Sequence, residues 1–229
     1  MPASGNRPNQ EARVPATPDT AVHVHSVQEE YFYLMVRRCA CGGPWLTEGQ
    51  QVEENPARLE HRVQAQCFKC KARRTFQFVL DSHGGPKGPV RQVNPTAEPS
   101  RALDAAEWMD LAQFYLGRIE RLQSAVERAQ SLLDARQCLE EALKFYGPAD
   151  DGPPPDALWS DASRAKVAAR PEAFRRASLA AMLERIPSTE RLRQADRMDQ
   201  REFEKAVRQL AQQRVGRRWW EFWKRFRRT

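Results

Sequence analysis

Four of the five cysteines of this 229-residue chain fall into two tight pairs, Cys39-x-Cys41 and Cys67-x2-Cys70, with 25 residues between the pairs. That spacing constrains the fold more than any other feature. Each pair makes a turn that aims two thiolates, and a hairpin between the pairs brings both turns to one tetrahedral metal ion. Gly42 and Gly43 supply permissive backbone beside the first pair. Arg38, Lys69 and Lys71 are cations that favour the thiolate form. The sequence around the pairs reads as strands. Leu59, His61, Val63, Ala65 and Cys67 alternate with Glu60, Arg62, Gln64 and Gln66, and Phe76, Phe78 and Leu80 alternate with Gln77 and Asp81. Residues 31–36, apolar on both faces, read as a further strand.

The residues RRCACGGPW and QCFKCKARRTFQF resemble a zinc ribbon, a resemblance that spans residues 30–81. It implies a small β module closed by a structural Zn2+ on Cys39, Cys41, Cys67 and Cys70. The first pair is C-x-C where most ribbons have C-x2-C, which admits His61 as an outside ligand. Four buried free cysteines, or a redox pair at Cys67 and Cys70, are the alternatives. Four thiolates saturate a zinc ion and leave no position for substrate. Such a site contributes to folding, on the order of 10–16 kcal/mol of apparent binding energy in small zinc modules, and some fifty residues have too little core to stand without it. The resemblance also implies a nucleic-acid contact through Lys69, Lys71, Arg73 and Arg74. The competing reading is a solvated strand edge kept soluble by its cations.

Proline placement divides the rest. None of the sixteen prolines falls in 101–147 or 188–229, whereas 83–100 and 148–155 are rich in them, so helices are expected between loops. Asp104 and Glu107 form a capping-box pattern. Trp108, Leu111, Ala112, Tyr115, Ile119, Leu122, Val126 and Ala129 recur at helical spacing, and the apolar face runs on to Gly147, with a break expected near Gly117 or Gln130. Cys138 reads as a small buried residue. A helix over 158–169, anchored by Trp159, precedes one opened by Pro171, and Ser188 or Thr189 caps a last helix. The organisation expected is an arm (1–26), a zinc-ribbon domain (27–82), a Gly/Pro linker (83–100), an all-α domain (101–213) and a basic tail (214–229). The fold class is α+β, a small β zinc ribbon followed by an all-α domain with a long C-terminal amphipathic helix.

The net charge of +7 is concentrated at one end: residues 214–229 carry seven basic residues and one acidic, while 148–160 carry three aspartates. On a helix, Trp219, Phe222, Trp223 and Phe226 share a face with Val215, flanked by Arg217, Arg218, Lys224, Arg225 and Arg228. That is the pattern of a helix lying at an anionic membrane surface. Docking on a protein groove, or tracking nucleic-acid phosphates, are the other readings. An apolar membrane span, a secretory leader and a secreted disulfide scaffold are not expected from this composition. Phosphate-loop, dinucleotide, nucleophile-elbow and zincin motifs are missing from the sequence, and all four histidines precede residue 84. The expectation is a cytoplasmic, non-enzymatic adaptor, peripheral at the inner face of the membrane, that binds a protein partner. A nucleic-acid-binding regulator is the alternative.

Overall fold

Residues 27–36, VQEEYFYLMV, form a helix, α1 (Val27–Val36), and not the strand their apolar alternation suggests. The computed structural model describes residues 21–55, 58–81 and 93–195. The helix forms because Ser26 caps it, its hydroxyl accepting from the Glu29 amide at 3.1 Å. It is apolar on two sides because it is buried on two sides. Tyr33 meets Phe76 and Phe78 of the sheet edge-on, at 6.3 and 5.6 Å between centroids. Phe32, fully buried, meets Trp108 and Tyr115 at 5.6 and 5.9 Å. Period alone cannot tell such a helix from a buried strand.

The sheet holds β1 (Val22–Val24), β2 (Trp45–Asn55), β3 (Arg58–Cys67) and β4 (Arg73–Asp81), in the order β1-β4-β3-β2. β2, β3 and β4 form an antiparallel meander, with Val63 opposite Phe76 and His61 opposite Phe78. β1 runs parallel to β4, so residues 22–24 of the expected arm belong to the sheet. A bulge between Thr47 and Gly49 interrupts β2, which lies at the sheet's edge among the described residues. The alternation expected for β3 and β4 holds: Val63, Ala65, Cys67, Phe76, Phe78 and Leu80 face the core.

The helices follow as α2 (Ala105–Arg118), α3 (Ala125–Leu143), α4 (Asp161–Ala169), α5 (Arg176–Arg185) and α6 (Thr189–Ala195). The capping box expected at Asp104 and Glu107 is formed in both directions. The helical stretch breaks after Arg118, beside Gly117, through a 3-10 turn at Ile119–Arg121. α3 stops at Leu143, four residues short of Gly147. Pro171 opens a 3-10 turn, Pro171–Phe174, and α5 follows it. Trp159 is 43% exposed and packs edge-on to Phe145, while its neighbour Leu158 enters the core. Cys138 is buried as expected. Of the proposed linker, residues 93–100 are docked: Val93 is buried, its carbonyl accepts from Ser26, and Lys144 donates to the carbonyls of Asn94 and Thr96. One cluster of buried apolar side chains runs from Val24 to Leu192. The expected continuation of α6 and the tail lie outside the described residues.

Polar groups cross this core. Glu30 of α1 meets His61 of β3, Oε2 to Nδ1 at 2.6 Å, both side chains buried. Burial pushes the Glu30 carboxyl up to about 8 and the His61 imidazole down, which favours the neutral form of both. Burial also raises Glu141 to about 7, against the pull of Lys144 and Asn94. Below the ordinary carboxylate range the stability contributed by these raised groups is fully present, and it is lost as pH rises through 7 and 8. His61 acts in the opposite sense, losing its contribution as pH falls through its lowered value. The melting temperature of the wild type relative to Glu30→Gln is expected to fall by several degrees between about pH 6 and pH 9. A difference that does not change with pH would count against a protonated Glu30.

Candidate metal centre

The chain leaves α1 through Arg37, whose amide donates back to Tyr33, and turns at once into the first cysteine pair. The turn is closed by the Cys39 amide donating to Gly43 O at 3.0 Å and the Gly42 amide donating to Cys39 O at 2.7 Å. Gly42 sits at φ 77°, the left-handed region where a side chain is strained. Gly43 serves a different need. A Cβ there would lie 2.6 Å from Cys67 Sγ and 2.8 Å from Lys69 Cβ, so the two turns approach as closely as they do only over a glycine.

The second pair sits at the β3–β4 turn. The Cys67 amide donates to Ala72 O at 2.8 Å and the Lys71 amide to Cys67 O at 3.0 Å, with Lys71 itself left-handed at φ 62°. The Phe68 amide donates to Pro44 O at 2.9 Å and ties this turn to the first. Backbone amides also address the sulfurs. Those of Cys70 and Lys69 donate to Cys67 and draw its thiol down to about 6. The Ala72 amide acts likewise on Cys70, but crowding by the thiols of Cys41, Cys39 and Cys67 outweighs it and pushes Cys70 up to about 12. Four sulfurs so placed ionise in steps on their own; a divalent cation takes all four as thiolates.

All four Sγ atoms lie within 4.8 Å of one another, with Cys39 to Cys70 and Cys41 to Cys67 both at 3.5 Å. A tetrahedron with metal–sulfur bonds of about 2.3 Å has edges of about 3.8 Å, so the four residues fit a zinc ion with sub-ångström adjustment. The four cysteines differ in exposure: Cys70 is exposed, Cys41 half-buried and Cys67 buried, with Cys39 nearer the buried end of the cluster.

The other residues singled out from sequence divide. His61 does not join the cluster, since its ring is buried against Glu30. Lys69, Lys71, Arg73 and Arg74 do surround the second turn. Lys69 Nζ lies 3.4 Å from Cys41 O, Lys71 Nζ lies 5.2 Å over the Phe68 ring, Arg73 reaches Glu48 at 3.2 Å, and the Arg74 guanidinium lies 4.9 Å over Phe76. Zinc with four thiolates carries two net negative charges, which these cations partly offset. Arg217, Arg218, Trp219, Phe222, Trp223, Lys224, Arg225, Phe226 and Arg228 lie outside the described residues. Sequence reasoning missed the buried His25–Glu29 and His61–Glu30 pairs. The signal for the helix that creates them is Ser26-x-x-Glu29, a capping box ahead of an apolar run.

Compared with known proteins, the chain matches no family model, no curated protein and no solved structure. The case for a metal centre therefore rests on the four sulfurs and on the backbone that aims them. Gly43→Ala is expected to weaken zinc binding at least about tenfold, because the added methyl forces the two turns apart. Lys71→Gly, which relieves a left-handed residue, is expected to retain the metal and gain about 1 kcal/mol. Chelator competition and thermal melts of the two variants check both, and wild-type affinity in Gly43→Ala would refute the close-approach argument.

Proposed function

We propose that this chain is a non-enzymatic adaptor of zinc-ribbon type, in which a structural Zn2+ on Cys39, Cys41, Cys67 and Cys70 fixes the end of α1 against the sheet. Its helices engage a protein partner, and residues 214–229 dock the assembly on an anionic membrane surface. The observation that carries the reading is the all-cysteine ligand set. Four converging sulfurs complete a zinc tetrahedron without an open position, which is the chemistry of a clamp and not of a hydrolytic centre. Partner binding is supported by Val27 and Tyr31, one turn apart on α1 and 54% and 62% exposed, and by Phe114 of α2 at 48%. Single exposed apolar residues are ordinary, but two on one face of a helix make an anchor for a partner. Membrane docking is supported by the aromatic face and basic flanks of the tail sequence, where each cation near an anionic leaflet contributes about 1 kcal/mol. Among the described residues, no helix is long and apolar enough to cross a membrane.

A second reading, a nucleic-acid-binding regulator, is favoured by the tip of the metal turn. There Phe68 is 60% exposed beside Lys69, Lys71 and Arg73, a ring for stacking set among cations for phosphates. One pair of measurements separates the two. Full-length protein should sediment with phosphatidylserine-containing vesicles, and protein lacking 214–229 should not; equal sedimentation of the two would sink the membrane reading. A salt-dependent mobility shift with a short single-stranded oligonucleotide, lost in Phe68→Ala, would promote the second.

A further inference from the structure

The same four sulfurs differ in what can reach them. Cys67 is buried and Cys70, three residues on, is exposed. Its neighbour across the turns is Cys39, at 3.5 Å between sulfurs. In the metal-bound state proposed above, on which this inference rests, every one of the four is a thiolate. Exposure, and not acidity, then ranks them as nucleophiles toward an oxidant from solvent.

We propose that Cys70 is the oxidation site of this protein, and that a hydroperoxide converts Cys70 and Cys39 into a disulfide across the two turns with release of the metal. The Cys70 thiolate attacks one peroxide oxygen; the O–O bond breaks, a sulfenic acid forms and hydroxide leaves. The Cys39 thiolate then attacks the sulfenic sulfur, the S–S bond forms and a second hydroxide leaves. Two electrons pass from the two sulfurs to the peroxide, two protons from solvent turn the hydroxides into water, and the zinc departs as Zn2+ having lost two of its four ligands. Closing the bond draws the sulfurs together by about 1.5 Å, to the 2.03–2.05 Å of a disulfide.

Geometry selects this pair over the alternative within one turn. The Cys67 sulfur is held by amides donating from Cys70 and Lys69 and is paired with Cys41 at 3.5 Å. Cys39 faces Cys70 directly, at 3.5 Å between sulfurs. A second equivalent of peroxide has an equally close pair to act on, Cys41 and Cys67, also at 3.5 Å. Both bonds join the same two turns that the metal joins. Oxidation therefore discharges zinc while keeping a covalent link between the two turns, whereas chelation leaves them joined by hydrogen bonds such as Phe68 to Pro44.

The test uses the purified full-length protein, its zinc content measured first, and hydrogen peroxide added by sub-stoichiometric steps. Zinc release is followed with a chromogenic chelator dye, and the disulfides are mapped by trypsin digestion without reductant. Trypsin is suited to the question because Arg38, Arg58, Arg62, Lys69 and Lys71 place Cys39 and Cys41 on one peptide, Cys67 on a second and Cys70 on a third. The expected result is a first disulfide between the 39–58 and 70–71 peptides, assigned to Cys39 by fragmentation, with one zinc released per peroxide. Maleimide at limiting concentration should label Cys70 about tenfold faster than Cys67. A 63–69 to 70–71 linkage, or zinc retained while sulfinic acid accumulates, would overturn the inference. A zinc-free preparation would overturn the metal reading itself, and this inference with it.

Discussion

The described fold depends on burying α1 from two directions at once. Tyr33 faces the sheet and Phe32 faces α2, so ten residues form the middle of a layered structure and link its two apolar surfaces. A helix in that position cannot be amphipathic in the usual sense, because it has no broad side left for water. It keeps a narrow one at Val27 and Tyr31. The ends of the helix are secured by different means. At its start Ser26 satisfies the first amides and donates to Val93, drawing in the segment that leads to α2. At its finish Arg37 forks onto Glu107, the same carboxylate that completes the Asp104 cap.

The four-cysteine cluster sits where this arrangement is least supported by apolar packing. Beyond Arg37 the chain must leave the core, turn and enter β2 as an edge strand, and few apolar side chains are available to hold that path. A metal ion held by the four sulfurs would supply the missing attachment at the cost of gathering like charges. The lysines and arginines of the second turn are best understood first in that light. Phe68 is tied to the same group, since Lys71 lies over its exposed ring.

Much of this was legible in the residues. The cysteine spacing located the four-sulfur cluster, alternation located the inward faces of β3 and β4, and the Asp104–Glu107 pattern fixed the start of α2. What failed did so for identifiable reasons. Residues 31–36 carry apolar side chains at every position, and a helix covered on both sides erases the period that distinguishes helix from strand. β1 is three residues long and is held by pairing with a strand more than fifty residues away, which no local pattern records. Asn94 and Thr96 follow a run rich in glycine and proline, and composition cannot show that Lys144 will collect their carbonyls. His61 matches a ligand by chemistry, yet its buried partner is a carboxylic acid from a segment misread as a strand.

The irregularity in β2 carries a last consequence. An edge strand of eleven residues is long enough to recruit a strand from another molecule. Between Thr47 and Gly49 the ladder slips, and the displaced residue, Glu48, is drawn to Arg73. A neighbouring chain trying to extend the sheet meets a bent edge and a fixed carboxylate close to the metal turn. The feature that looks like a defect in the ladder thus breaks the regular edge that strand pairing between molecules needs, at the end of the strand where the side chains are most apolar.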